Sequence, residues 1–310
     1  MATKFAQPMG HVVVVGSCNV DLTYRVPKMP QPGETLTGRS FQIGYGGKGA
    51  NQAVMAARLG AHVKMIGRVG DDTFGNGVVN NLRTQSVDTA SVWTTPAAAT
   101  GSAAILVDDA GRNSIVVVPG ANGLLTLADV HAASETLRAA SVLLCQLEVP
   151  LLSTHAALRI AHAAGVRTIL NSAPATDLSD DLIRAADIIV PNELELARIT
   201  GMPVDDLEQA KAAARTLLRR DRAAVIVTLG ERGALLVQGG ESAHFPAANV
   251  EAIDTSGAGD AFIGALGALL AASVPIHEAV RKANALAGRS VTRPGTQTSF
   301  PTREEAAEVF

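Results

Sequence analysis

Two glycine clusters carry the residues best suited to chemistry. In DTSGAGDAFIGALGALL, residues 254–270, Gly257, Ala258 and Gly259 let successive backbone N–H groups converge where a helix opens. A helix N-terminus built of small residues binds anions. Asp260 is the odd member. A carboxylate there competes with a bound phosphate for the same amides, which points to acid–base work; capping the helix is the other use of an Asp at such a position. The second cluster is GYGGKGANQAV, residues 44–54. Gly44, Gly46 and Gly49 satisfy the dinucleotide fingerprint G-x-G-x-x-G, and Lys48 beside a glycine loop suggests a phosphate cradle. Lys48 is followed by Gly49 rather than Ser or Thr, so the phosphate-loop pattern is absent. The dinucleotide reading lacks its context. The fingerprint belongs directly after a core strand, and here an irregular polar segment precedes it, although Asp71 and Asp72 lie at the expected distance.

Other polar residues fall where ligands bind or where turns need them. Asn19 and Asp21 follow the apolar run HVVVVGS and suit either hydroxyl recognition or an Asx turn. Glu148 closes SVLLCQLE. PNELE places Asn192 and Glu195 at a helix start, where Glu195 on its own reads as an exposed first-turn residue. VTLGERG, with Thr228, Gly230 and Gly233, reads as a hairpin turn. His155 and His162 stand on one helical segment without metal-ligand spacing to any cysteine or carboxylate.

The elements that must position these residues alternate. HVVVVGS is a short buried strand. ANQAVMAARLG is a helix ended by Gly60, and HVKMIGRVG is the next strand. LADVHAASETLRAA, LLSTHAALRIAHAAG, DDLIRAA and DLEQAKAAARTLLRRD read as helices between the strands SVLLCQLE, VRTILNSAP, DIIVPNE and AAVIVTLG. The pattern predicts an α/β fold, a mainly parallel central sheet with helices on both faces. Ligands then bind beyond the carboxyl ends of the strands. Two segments break the alternation. NVDLTYRVPKMPQPGETLTGRSFQIG is polar and extended, and TGSAAILVDDAGRNSIVVVPGAN reads as a hairpin turning at DDAGRN. Paired, they would form a small antiparallel β lid over the site, within about 18–45 and 98–120 of a single domain spanning 1–310.

The bulk composition narrows the function classes. With 310 residues, 47% hydrophobic, the chain can bury a large core. A formal charge of -3 gives no electrostatic footprint for nucleic acid or an anionic membrane. Cys18 and Cys145 make no disulfide framework, and Cys145 reads as a buried free thiol. The start, MATKFAQPMGHVVVVGSCNVD, has no signal-peptide pattern, and AFIGALGALLAAS is too short to span a bilayer. These features lead to the expectation of a soluble protein in a reducing, cytoplasmic setting.

GGKGANQAV followed by DTSGAGDAF resembles the paired signatures of the PfkB carbohydrate kinase family. The likeness extends through GSCNVD, PQPGETLTG, GGKGANQAVMAARLG, GDDTFG, PGAN, QLEVP, PNELE, VTLGERG, DTSGAGD and VTRPGTQTSFP, in order, from about Val12 to about Arg303, and is nearest to the family's ribose-phosphorylating members. The resemblance implies transfer of phosphate from ATP to D-ribose, giving D-ribose 5-phosphate and ADP. Kinases acting on 2-deoxyribose, fructose or a nucleoside are the alternatives, and a silent sugar-binding regulator is a remote one. It implies Asp260 as general base, with Gly257, Ala258 and Gly259 as the anion hole. Asn19, Asp21, Gly47, Lys48, Asn51 and Glu148 would hold the sugar. Asn192 and Glu195 would organise Mg²⁺ and phosphates through water, and Thr228, Gly230, Gly233 and Asn284 would follow the nucleotide. Asp254, Ser256, Ser290, Arg293, Gly295 and Ser299 match a K⁺ site made mostly of backbone carbonyls. The lid would exclude water and, through AAILV and SIVVV, make a homodimer.

Overall fold

The computed structural model describes residues 10–218 and 223–309. Most of the stretch weighed for a leader, and the end of the helix expected over 206–221, lie outside the described residues. In chain order the strands are β1 (His11–Val15), β2 (Asn19–Val26), β3 (Ser40–Gly46), β4 (His62–Gly70), β5 (Val87–Thr95), β6 (Gly101–Asp108), β7 (Asn113–Val118), β8 (Val142–Cys145), β9 (Arg167–Asn171), β10 (Ile188–Val190), β11 (Ala224–Thr228), β12 (Ala234–Gln238) and β13 (Glu241–Phe245). The helices are α1 (Lys48–Arg58), α2 (Thr73–Thr84), α3 (Leu127–Ala132), α4 (Ser134–Arg138), α5 (Leu151–Ala163), α6 (Asp180–Ala185), α7 (Glu193–Thr200), α8 (Leu207–Leu217), α9 (Ala258–Ala271), α10 (Ile276–Ser290) and α11 (Arg303–Ala307).

The central sheet runs β13-β12-β11-β10-β9-β8-β1-β4-β5. Pairing is parallel from β11 through β5 and antiparallel for β12 and β13 at one edge. The unbroken valines of β1 show why. Successive side chains point to opposite faces, so a strand buried on both faces must be apolar throughout. Val12 and Val14 join the core beneath α1, α2, α9, α10 and α11. Val13 and Val15 join the core beneath α3 to α8. Register carries the division sideways: Val12 lies opposite Val142 and Val14 opposite Leu144, both in the first of these cores. Both cysteines are buried and free, and burial pushes the Cys18 thiol up to about 12. Among the described residues no helix is long and apolar enough to cross a membrane.

The lid is a separate sheet, β3-β2-β6-β7. Its hairpins β2–β3 and β6–β7 are antiparallel, but β2 and β6 pair in parallel. Both segments leave the carboxyl ends of core strands, β1 and β5, and run outward in the same sense, which makes the seam parallel. Two details depart from the sequence reading. LADVHAASETLRAA is two short helices that meet at Ala133. Residues 73–95, left unassigned, form α2 and β5. α2 holds glycines that hide its helical pattern, and one is needed for packing: a Cβ on Gly75 would stand 2.3 Å from the Gly70 carbonyl oxygen.

Close helix packing sets the site. α1 and α9 cross at Gly264, where a Cβ would lie 2.5 Å from the Gln52 carbonyl oxygen. Only glycine permits that approach, and it brings the first turn of α1 against the first turn of α9.

Candidate active site

Asp260 lies in the first turn of α9, after an N-cap Gly257 in the left-handed region (φ 75°). A Cβ on Gly257 would stand 2.4 Å from Thr296 Cγ2, so conformation and space both demand glycine there. Asp260 is buried. Asn51 Nδ2 donates to its Oδ2 (2.9 Å) and Gln52 Nε2 to its Oδ1 (3.0 Å). Burial pushes the Asp260 carboxyl above the usual range, opposed by Lys48 and by these two amides. Helix capping alone does not explain a carboxylate held by two side-chain amides from another helix. The group is fixed as an acceptor, which is what a base requires.

On one side of Asp260 lies a polar set between the lid and the amino end of α1. Asn19 and Asp21 sit two apart on β2 and share a face. Asn122 Nδ2 donates to Asn19 Oδ1 (2.7 Å) and so orients that carboxamide. Asp21 lies against Gly46, where a Cβ would meet its carboxylate at 2.2 Å. Burial, then Glu148, then Asp260 push the Asp21 carboxyl up to about 6. Glu148 Oε2 accepts from Ser17 Oγ (2.5 Å) and from the Lys48 backbone N–H (3.0 Å). Gly47, at φ 87°, closes the turn into α1. Lys48 is held above the ordinary lysine range chiefly by Asp260, with burial acting against it and Glu148 and Glu195 adding to it.

On the other side opens a cavity of about 210 Å³, lined among others by Lys48, Asn192, Glu195, Thr228, Gly257, Gly259 and Asp260. Gly259 is informative here. A Cβ on it would meet nothing within 4 Å, so the protein itself does not require glycine, and a methyl group would stand in space left for a ligand. Glu195 is buried rather than an exposed first-turn residue. It forms a capping box with Asn192: Glu195 N–H donates to Asn192 Oδ1 (2.8 Å), and Asn192 N–H to Glu195 Oε2 (2.9 Å). Gly230 to Arg232 is the tight link in the β11–β12 hairpin. Gly233 is fixed by packing, since a Cβ would stand 2.0 Å from the Phe245 carbonyl oxygen. Asn284 does not line the cavity; its Nδ2 donates to the carbonyls of Pro246 (2.9 Å) and Phe245 (3.3 Å) and pins the chain leaving β13.

The residues matched to a cation lie on the segment before α9, at the last residue of α10 and on the segment after it, and Asp254 ties the first and last of these together. Its Oδ1 accepts from Ser256 N–H (2.9 Å) and its Oδ2 from Gly295 N–H (2.8 Å). Burial alone would raise this carboxyl, but these hydrogen bonds outweigh it and hold it below the usual range. Ser290 and Ser299 turn their hydroxyls onto the Ala287 and Thr296 carbonyls (2.8 Å each). The Arg293 side chain is taken up by Glu305. His162 Nδ1 lies 3.2 Å from Asp187 Oδ1, a pairing across the fold that its sequence spacing did not show.

The dinucleotide reading fails on this geometry. Gly44 and Gly46 belong to lid strand β3, not to a β–α turn of the core sheet. Asp72 caps α2 through Gly75 N–H (2.7 Å) and holds Thr100 N–H (2.8 Å) at the root of β6.

The profile of pfkB family carbohydrate kinases matches residues 9–303. The chain belongs to this family. The kinase is 42% identical over 298 residues to the deoxyribokinase of Salmonella typhimurium, covering 96% of this chain and 97% of that one. It is 41% identical over 299 residues to the mouse ribokinase, covering 95% and 93%. The structure of Arabidopsis thaliana ribokinase complexed with ribose and ATP superposes with a TM-score of 0.88 at 30% identity, covering 97% of this kinase and 99% of that chain. The fold is therefore ribokinase-like, and the kinase is a phosphotransferase.

Several site residues carried no sequence signal of a role. Ser17 and Asn122 hold Glu148 and Asn19. Asn81, Gln146, Asn171 and Gln297 back the amides on Asp260. Only NQ after a helix-opening glycine hinted at buried amides.

Proposed function

We propose that this kinase transfers the γ-phosphoryl group of ATP to the 5-hydroxyl of a free pentose, D-ribose or 2-deoxy-D-ribose. The carrying observation is the position of Asp260, buried between a polar pocket rich in hydroxyl partners and a cavity at a helix amino end. The names of the mouse and Salmonella relatives support a pentose, and they do so equally for the two sugars. Asp260 accepts the 5-hydroxyl proton as that oxygen attacks the γ-phosphorus. The amides of Gly259 and Asp260, together with Lys48, take up charge on the transferring group, and the Ala258 N–H joins them on leaving the Thr255 carbonyl (3.3 Å). Asn19, Asp21, Gly47, Asn51 and Glu148 hold the sugar. Glu195 is committed to its cap, so with Asn192 it organises the Mg²⁺ of MgATP through water. Thr228, Gly230 and Gly233 border the nucleotide, with Asn284 behind them.

Coupled measurement of ADP release with D-ribose, 2-deoxy-D-ribose, D-fructose and adenosine tests the reading. The pentoses should lead by a wide margin, because an acceptor that leaves these buried polar groups unpaired is rejected. Equal or better kcat/KM with adenosine would overturn the sugar assignment and leave the kinase assignment standing.

A pH dependence follows from Asp21. Its pKa is raised to about 6, so the ionised acceptor form is lost as pH falls through that value. The pentose KM should rise below about pH 6 and be level above it, and Asp21→Asn should flatten the curve at a high KM. A wild-type KM unchanged between pH 5 and 7.5, an interval spanning about 6, would exclude Asp21 from the contact.

A K⁺ ion held by the 254–256 and 290–299 segments would neutralise Asp254 and steady the stretch carrying Gly257 to Asp260. At constant ionic strength K⁺ should raise kcat severalfold and Na⁺ much less, and Asp254→Ala should remove the response. Identical rates in K⁺, Na⁺ and a bulky organic cation would dispose of the site.

The lid is the proposed dimer surface. Ile115, Val116, Val117 and Val118 are all exposed on β7, with Phe41 and Ile43 exposed on β3. Register places Ile43, Leu22, Ala104 and Val116 in one row across the sheet, with Phe41 and Val118 on the same face and Ile115 and Val117 on the other, which Asp21 shares. An apolar outer face of this kind marks an interface. Light scattering should give a dimer at micromolar concentration and a monomer for Val116→Glu; a monomeric wild type refutes the contact.

A further inference from the structure

The side chains around Asp260 extend outward as two chains of amides, and each chain runs in one direction. In the first, Asn81 Nδ2 donates to Gln297 Oε1 (2.8 Å), Gln297 Nε2 to Asn51 Oδ1 (3.0 Å), and Asn51 Nδ2 to Asp260 Oδ2 (2.9 Å). In the second, Gln146 Nε2 donates to Gln52 Oε1 (2.6 Å), and Gln52 Nε2 to Asp260 Oδ1 (3.0 Å). Gln52 Nε2 also reaches Asn171 Oδ1 (3.1 Å). Gln52 and Gln146 are fully buried, and Asn51 and Gln297 nearly so. An ionised carboxylate only accepts, so each neighbouring amide must present its NH₂ group. That choice turns the amide oxygen outward and dictates the orientation of the next residue. Hydrogen-bonded amides aligned this way polarise one another, and burial strengthens the effect.

We propose that Gln297, with Asn81 behind it, is a positioning residue: it holds Asn51 with its NH₂ group toward Asp260 and so keeps the carboxylate in the ionised state used in phosphoryl transfer. The inference rests on the reading of Asp260 as the general base. It also revises the part played by Asn51. Both polar atoms of its side chain are engaged within the protein, so its first task is to aim Asp260, whether or not it also meets the sugar. Gln297 belongs to the same loop as Gly295, which Asp254 grips. The outer chain therefore joins that loop to the base through side chains alone.

Charged groups from every side act on Asp260: Lys48 of α1 favours its ionised form, while Glu148 after β8, Glu195 of α7 and Asp21 of β2 oppose it. The amides are neutral, so removing one leaves this balance of charges intact and changes only the hydrogen bonds to the base.

The test is the pH profile of kcat at saturating pentose and MgATP for Gln297→Leu and Asn81→Leu, each compared with wild type so that nucleotide titration cancels. Without Gln297, Asn51 can rotate its oxygen toward Asp260, which favours the protonated acid. The acid limb should move up by about one pH unit, tenfold in rate on that limb, while the high-pH plateau stays within about twofold. Asn81→Leu, at the outer and half-exposed end, should move the limb in the same direction by less. It carries the test alone if Gln297→Leu does not fold. Limbs that coincide with wild type, or a rate lowered equally at every pH, overturn the proposal. Asp260→Asn separates the two failures. If that variant turns over normally, the base assignment falls; if it is inactive while the limbs coincide, only the positioning role of Gln297 falls.

Discussion

Asp260→Asn should leave a folded protein that binds pentose and MgATP but turns over about 10²–10⁴-fold more slowly, the usual worth of a positioned general base. The change keeps the size and shape of the side chain. It removes a buried charge whose cost shows in the upward push on the carboxyl, and this favours the folded state. It also faces one of the two amide donors with an NH₂ group, and an unpaired buried donor costs about 1–3 kcal/mol. The two effects have opposite signs, so the melting temperature should move little. Kinetics and stability are thus expected to part company, which distinguishes loss of the base from loss of the fold. Sugar affinity measured by calorimetry supplies the control, because Asn19, Asp21 and Glu148 are untouched. A folded Asp260→Asn enzyme with near-normal kcat would remove Asp260 from the base role.

What could be read in the sequence, and what could not, divides along physical lines. DTSGAGD announced a helix amino end with a misplaced carboxylate, because glycine, small residues and helix start are local features. The valines of β1 announced a strand buried on both faces for the same reason. The pairing of the two irregular segments was also legible, because both are extended and break the helix–strand alternation, but the parallel seam between β2 and β6 was not. That seam depends on where each segment leaves the core sheet. Glu195 shows the limit most sharply. The N-x-x-E spacing of a capping box was present, yet burial of the glutamate depends on the tertiary fold, which packs α7 on α8 and β11. Gln52, Gln146 and Gln297 are ordinary amides spread over almost 250 residues. They become a network only when α1 crosses α9 at Gly264, and no spacing rule relates them. Asn284 has a task that the resemblance did not imply: its side chain holds the backbone leaving β13.

The glycine contrast at the start of α9 gives the second large effect. Gly257 and Gly259 are two residues apart, and the fold needs only the first. Gly257 combines a left-handed backbone with a Cβ position already filled by Thr296, so any side chain there damages the structure and says little about catalysis. Gly259 has ordinary helical placement and open space at its Cβ. Replacing it with valine costs the helix nothing, since glycine is the poorer helix former by a few tenths of a kcal/mol. The branched side chain instead occupies the cavity where the transferring phosphoryl group must approach the amides of Ala258, Gly259 and Asp260. Losing a single donor of this kind costs about 10²–10³-fold, and a valine displaces the group from all of them. Gly259→Val should therefore match wild type in melting temperature while kcat/KM for MgATP falls by at least about 10²-fold. Gly259→Ala should fall between the two. Pentose affinity measured without nucleotide should not change, because the sugar contacts lie on the far side of Asp260. If the folded valine variant retains wild-type kcat/KM for MgATP, phosphate does not bind at this helix end.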